Sequence, residues 1–187
     1  MCMHRLSSVA ALSVVLAAPC LGQGPELGQV TSATDIAACD ISISPDGAGL
    51  PPGGGTAKEG EVIYAAKCAS CHGEKGAGNP NEPISDVSAG PLIGGLGTLP
   101  GNRGVSYWPY ATIVFDYVRR AMPWGAPKSL TDQEVYSLTA YILHLNGIIG
   151  EADVINAQTL PKVQMPNRDG FVPAVPVYPP EKKPSWW

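Results

Sequence analysis

The chain has 187 residues and a formal charge of −4, from 12 basic and 16 acidic side chains. Such mild acidity argues against nucleic acid or an anionic membrane surface as partners. With 22 glycines, 19 prolines and only 15% charged residues, much of the chain must be irregular around a single modest core.

Residues 1–22 read as a secretory leader. Arg5 precedes an apolar run from Val9 to Ala18 that is too short to span a bilayer, and cleavage is expected between Cys20 and Gly24. Pro19 directly before Cys20 disfavours a lipoprotein anchor there. No other segment is apolar and long enough to cross a membrane, so the processed chain is expected to be periplasmic, without membrane insertion. Its formal charge falls to about −5 once Arg5 is gone. Processing also removes Cys2 and Cys20, leaving Cys39 as a thiol expected to be buried and inert, with a bridge to a partner as the alternative.

An N-terminal arm, residues 23–55, closes on Pro45-Asp46-Gly47 and Leu50-Pro51-Pro52-Gly53-Gly54-Gly55, which hold neither a helix nor a long strand. The domain proper is expected over residues 56–147. Its first helix opens on a capping box, Thr56-Ala57-Lys58-Glu59, and continues through Val62, Ile63 and Ala66. It runs into Cys68-Ala69-Ser70-Cys71-His72, the attachment signature of a c-type haem. In that motif two thiols three residues apart add across the porphyrin vinyl groups, and the adjacent histidine ligates the iron. A zinc site would need a second ligand pair, and neither His4 nor His144 lies in a suitable motif. A thioredoxin-type redox pair would follow a strand in a βαβ unit, of which there is no sign.

Residues 73–107 are rich in Gly, Pro and Asn and should be loop. A further helix is expected from Tyr110 to Arg120, with Ile113, Val114, Tyr117 and Val118 on its apolar side. Arg103, Tyr107 and Trp108 precede it and are candidates for binding a haem propionate, with simple loop packing the alternative. The last helix opens on a second capping box, Thr131-Asp132-Gln133-Glu134, carries Val135, Leu138, Ile142 and Leu145 at helical spacing, and stops at Gly147. No segment alternates well enough to be a strand. Residues 148–187 form an extended C-terminal arm, with seven prolines from Pro161 onward and Val172, Val175, Val177, Tyr178, Trp186 and Trp187 as its apolar content. The fold class is therefore all-α, a small domain around one covalent haem with irregular arms on either side. The porphyrin would supply the centre of an otherwise small core.

Gly60-x-x-x-Tyr64-x-x-x-Cys68, with Tyr141 in the last helix, resembles the class I cytochromes c, in which the glycine lets the first and last helices cross closely. The resemblance implies that Met122, in Arg120-Ala121-Met122-Pro123, is the second axial iron ligand beside His72. Met165, in the arm, is the rival sulfur, and His144 is a surface or interface residue. His/Met ligation raises the reduction potential, which suits an electron carrier. Gly90-Pro91-Leu92-Ile93-Gly94 resembles the family loop whose proline carbonyl accepts a hydrogen bond from the proximal histidine, so Pro91 is expected to orient His72.

From Trp108 onward the likeness narrows. Tyr107-Trp108-Pro109-Tyr110, Phe115-Asp116-Tyr117-Val118-Arg119-Arg120-Ala121-Met122-Pro123, Leu130-Thr131-Asp132-Gln133-Glu134 and Leu160-Pro161-Lys162-Val163-Gln164-Met165-Pro166 resemble the haem c subunits of molybdenum-dependent sulfite and sulfane dehydrogenases. This implies a molybdopterin-containing partner of the sulfite oxidase family, a downstream cytochrome c or oxidase, and no bond chemistry in this chain. One haem motif, where the sulfane dehydrogenase subunits typically carry two, favours the sulfite type. Pro-rich arms with aromatics suit straps across that partner. A free-standing shuttle, a sulfane dehydrogenase subunit and a catalytic cytochrome are the alternatives. No nucleophile–base pair, phosphate loop or paired-carboxylate site supports other chemistry.

Overall fold

The computed structural model describes residues 28, 30–78, 89–95 and 104–171. The expected leader, residues 1–22, lies outside these, as do Arg103 and the last part of the C-terminal arm, residues 172–187. The chain divides into two compact units, Met1–Asp40 and Ile41–Trp187. No helix among the described residues is long and apolar enough to cross a membrane.

The described part of the first unit holds one short helix, α1 (Ala33–Cys39), in an arm expected to be irregular. The Ser32 hydroxyl accepts from the Asp35 backbone N–H at 3.1 Å and donates to the Asp35 carboxylate at 2.6 Å. This local cap on an alanine-rich run is enough for two turns. None of α1 is buried, and Cys39 is exposed, against the expectation of a buried thiol.

The described part of the second unit is built on three helices: α2 (Ala57–Lys67), α4 (Ala111–Ala121) and α5 (Asp132–Leu145), with a single turn α3 (Ala69–His72) after α2. Both expected capping boxes form. Thr56 and Thr131 accept from the N–H groups of Glu59 and Glu134, and each glutamate reaches back to its threonine N–H at 2.8 Å. α5 is the axle of the core, with every residue from Val135 to Leu143 buried. α2 crosses it at Gly60, where an added Cβ would strike the Ser137 carbonyl oxygen and lie 2.7 Å from the Tyr141 Cβ. Only glycine permits that approach. One turn further on, the rings of Tyr64 and Tyr141 meet at 5.2 Å. On the other side of α5, Phe115 of α4 packs on Tyr136 at 4.5 Å.

Residues 41–55 and 148–171, on either side of residues 56–147, fold into this same unit. Gly54–Gly55 (β1) pairs antiparallel with Ile155–Asn156 (β2), a ladder too short for alternation to reveal. Tyr136 donates its hydroxyl proton to the Pro51 carbonyl at 2.7 Å. Ile155, Leu160 and Met165 are all under 4% exposed. Within residues 148–171, expected as part of an extended surface arm, these three side chains enter the core while the rest of the segment is exposed or half-buried. Proline forbids regular helix there but not burial, and a short 3-10 turn at Leu160–Lys162 satisfies the backbone.

Candidate haem site

Cys68, Cys71 and His72 are gathered by local backbone geometry. α2 ends at Cys68, whose N–H donates to the Tyr64 carbonyl at 2.9 Å. The Cys68 carbonyl in turn accepts from Cys71 and His72 at 3.2 and 2.9 Å. The two thiols and the imidazole thus share one turn, all half-buried, with neither thiol in a disulfide. The turn ends at Gly73 (φ 74°), where the left-handed region suits glycine and an added Cβ would strike the Gly78 carbonyl. Tyr64 braces the exit, donating its hydroxyl proton to the Gly73 carbonyl at 3.0 Å.

The His72 Nδ1 lies 3.3 Å from the Gly90 carbonyl oxygen. A carbonyl only accepts, so Nδ1 carries the proton and Nε2 keeps its lone pair for a metal. Burial holds the His72 pKa below the ordinary imidazole value, and the Gly90 bond offsets only part of that. The result is a neutral, oriented imidazole. The acceptor is the carbonyl one residue before Pro91, not that of Pro91 as the family likeness implied. Pro91 itself sits half-buried in the loop, where its ring fixes φ just after the acceptor.

Met122 caps the C-terminal end of α4, its N–H bonded to the Val118 carbonyl at 3.1 Å. The loop that follows is held by the Ala126 N–H to Pro123 carbonyl bond at 2.8 Å and by Arg119 on Asp132 at 3.1 Å. Met122, Cys68, Ala69, Leu92, Trp108, Leu130 and Leu145 are partly buried hydrophobics on the same core. Met165, the rival sulfur, is 3% exposed within that core. The Trp108 ring packs 5.7 Å from Tyr117, in keeping with loop packing, while Arg103 lies outside the described residues. His144 is half-buried on α5, its Nδ1 3.3 Å from the Ile149 carbonyl.

The donor chemistry fits haem c: two thiols one turn apart for thioether bonds, one oriented neutral imidazole, a thioether, and half-buried apolar side chains suited to a flat macrocycle. Among the described residues no group of three or more His, Cys, Asp or Glu side chains is placed to hold a metal ion. Sequence reasoning missed the Gly90 carbonyl, the Tyr64 brace and Asn146.

Residues 57–146 match the cytochrome c family. The chain is 29% identical over 124 residues to a thiosulfate dehydrogenase of Allochromatium vinosum, covering 66% of this chain and 40% of that one. It is 30% identical over 109 residues to a thiosulfate dehydrogenase of Psychrobacter arcticus, covering 56% and 32% respectively. The chain therefore spans well under half the length of these relatives. A chain in the crystal structure of the sulfane dehydrogenase SoxCD from Paracoccus pantotrophus is similar at 38% identity and a TM-score of 0.67, with 79% of this chain and 71% of that one covered. The Cys68–His72 turn and these likenesses agree: the chain belongs to the cytochrome c family, with a small, mostly helical fold and haem c as its cofactor.

Proposed function

We propose that this chain is the periplasmic, single-haem electron-accepting subunit of a sulfur dehydrogenase. Its partner would be a molybdopterin-containing subunit of the sulfite oxidase family, and its own acceptor a downstream cytochrome c or oxidase. The observation that carries the electron-transfer role is the turn holding Cys68, Cys71 and His72, with the imidazole oriented by the Gly90 carbonyl. The partner assignment draws on the likeness to the sulfane dehydrogenase chain, which covers most of both molecules. When bound, the haem takes up and releases single electrons. Cys68 and Cys71 would tether it, His72 would supply a nitrogen to its iron, and Met122 would supply a sulfur that favours the ferrous state.

The test is to purify the tagged chain from its native periplasm and assay molybdenum against haem. Sulfite, thiosulfate and a sulfane donor are then added anaerobically, and the ferrous band is followed. Co-purifying molybdenum, with haem reduction by one of these substrates, is the expected result. Haem without molybdenum, unmoved by all three, would make the chain a free-standing shuttle. The names of the two curated relatives favour a second reading, in which the cytochrome itself oxidises thiosulfate. Reduction by thiosulfate of the isolated, molybdenum-free chain would establish that reading. In Met122→Ala the sulfur–iron absorption band is expected to vanish and the reduction potential to fall. An unchanged band would remove Met122 from the iron.

A further inference from the structure

Asn146 joins three segments that are distant in sequence. Its Oδ1 accepts from the Gly94 N–H at 3.1 Å and from the Ser106 hydroxyl at 2.9 Å. Its Nδ2 donates to the Leu92 carbonyl at 3.2 Å and to the Ile142 carbonyl, one turn back on α5, at 2.8 Å. All four hydrogen-bonding valences of one amide are therefore used, and none of them on solvent. The Leu92 carbonyl also accepts from the Val105 N–H at 3.0 Å, so the 89–95 loop and the turn at Val105–Tyr107 meet on this one side chain. Ser106 is 3% exposed.

The 89–95 loop carries the Gly90 carbonyl that faces His72 Nδ1. At its near end it is tied to the haem-motif turn, by Ala89 N–H to the Cys71 carbonyl at 3.2 Å. Further along, Leu92 N–H reaches the Gly76 carbonyl at 2.8 Å. Beyond Leu92 the described side-chain bonds of the loop come from Asn146. A 3.3 Å hydrogen bond is at the long end of the useful range, so a small displacement of Gly90 decides whether it persists.

We propose that Asn146 is a positioning residue for the proximal side of the haem. By anchoring Leu92 and Gly94 to the end of α5 it holds the Gly90 carbonyl on His72, and so sets the electron donation of the imidazole to iron. This inference rests on His72 being an axial ligand. A hydrogen bond from Nδ1–H to a carbonyl makes the imidazole a stronger donor, which stabilises ferric iron. Weakening it raises the reduction potential. The effect acts through Gly90, since Asn146 itself touches neither ring nor iron.

The experiment uses the haem-loaded full chain with Asn146→Ala, Ser106→Ala and, as a control of stability alone, Val135→Ala, a fully buried α5 position. Reduction potential and His72 Nδ1–H solvent exchange by NMR are read beside urea unfolding. Asn146→Ala is expected to raise the potential and speed Nδ1–H exchange about tenfold, as for the loss of one hydrogen bond. Ser106→Ala, which removes one of the four bonds, should move both in the same direction by less. Val135→Ala should lower stability and leave both unmoved. If Asn146→Ala loses stability as Val135→Ala does while potential and exchange stay at wild-type values, the positioning role is overturned and Asn146 is merely structural. If the wild-type spectra show no histidine on the iron, both this inference and the site assignment fall. Wild-type histidine ligation with an unmoved potential in Asn146→Ala overturns the inference alone.

Discussion

Gly60→Ala tests the helix crossing on which the haem site is hung. The added methyl group would strike the Ser137 carbonyl oxygen, lie 2.6 Å from the Ser137 carbonyl carbon and 2.7 Å from the Tyr141 Cβ. Ordinary carbon contacts begin at about 3.5 Å, so α2 and α5 must part by roughly 1 Å at the crossing. Ser137 contributes backbone atoms from mid-helix, which no rotamer change can move aside. The separation also loosens the Tyr64–Tyr141 ring pair, worth about 0.5–1.5 kcal/mol. Alanine returns about 1 kcal/mol of helix propensity over glycine. Overpacking of this kind costs about 1–3 kcal/mol, so the net loss is expected at about 0.5–3.5 kcal/mol. Urea unfolding followed by circular dichroism measures it, as a lower midpoint at unchanged slope. Gly125→Ala, with no heavy atom near its added Cβ, is the control and should stay within about 0.5 kcal/mol of wild type. A Gly60→Ala chain as stable as that control would refute the close-crossing argument.

Truncation after Val154 removes Ile155, Leu160 and Met165 from the core, roughly 5–9 kcal/mol of apolar burial. Because that rivals the whole stability of a small domain, the truncated chain should be protease-sensitive and bind haem poorly, whatever its partner. A well-folded truncation product would return these residues to the role of a dispensable strap. Lys67 bonds Glu134 at 2.6 Å, and that contact first, with the Thr131 cap second, holds the Glu134 pKa below the ordinary carboxylate range. A depressed folded-state pKa gives stability that is present above the unfolded value and lost as pH falls through the folded one. Wild type should therefore lose more stability than Glu134→Gln as pH drops below about 4.5, by no more than about 1 kcal/mol, since both side chains are partly exposed. Equal acid sensitivity would assign the pair no role. In the haem-free chain, burial pushes the Cys68 thiol up to about 11, with Cys71 adding to it and Lys67 opposing it. Alkylation of Cys68 at pH 8 should then be about a hundredfold slower than in the unfolded chain, read by mass spectrometry.

Much of the site was legible because it is local. The Cys68–His72 motif needs only one turn of chain, so sequence spacing alone brings its three groups together. The two capping boxes are likewise local, and they marked both helix starts. Gly60 and Tyr141 were legible for another reason, since a helix crossing that tolerates no Cβ leaves a glycine at a fixed distance from its aromatic neighbour. The carbonyl that faces His72 was misplaced by one residue, because a backbone acceptor carries no side-chain signal to mark it.

Tertiary structure alone decided the rest. That Leu160 and Met165 are core residues could not be read from a proline-rich segment, because proline reports what the backbone cannot do and says nothing of where a side chain is buried. Cys39 came out exposed, on a short helix none of whose residues is buried. Asn146 bonds Leu92, Gly94 and Ser106 across 40 to 54 positions of sequence. Hydrogen bonds at such separations exist only once the chain has folded, whereas the chemistry of the thiols, the imidazole and the thioether was written in the residues themselves.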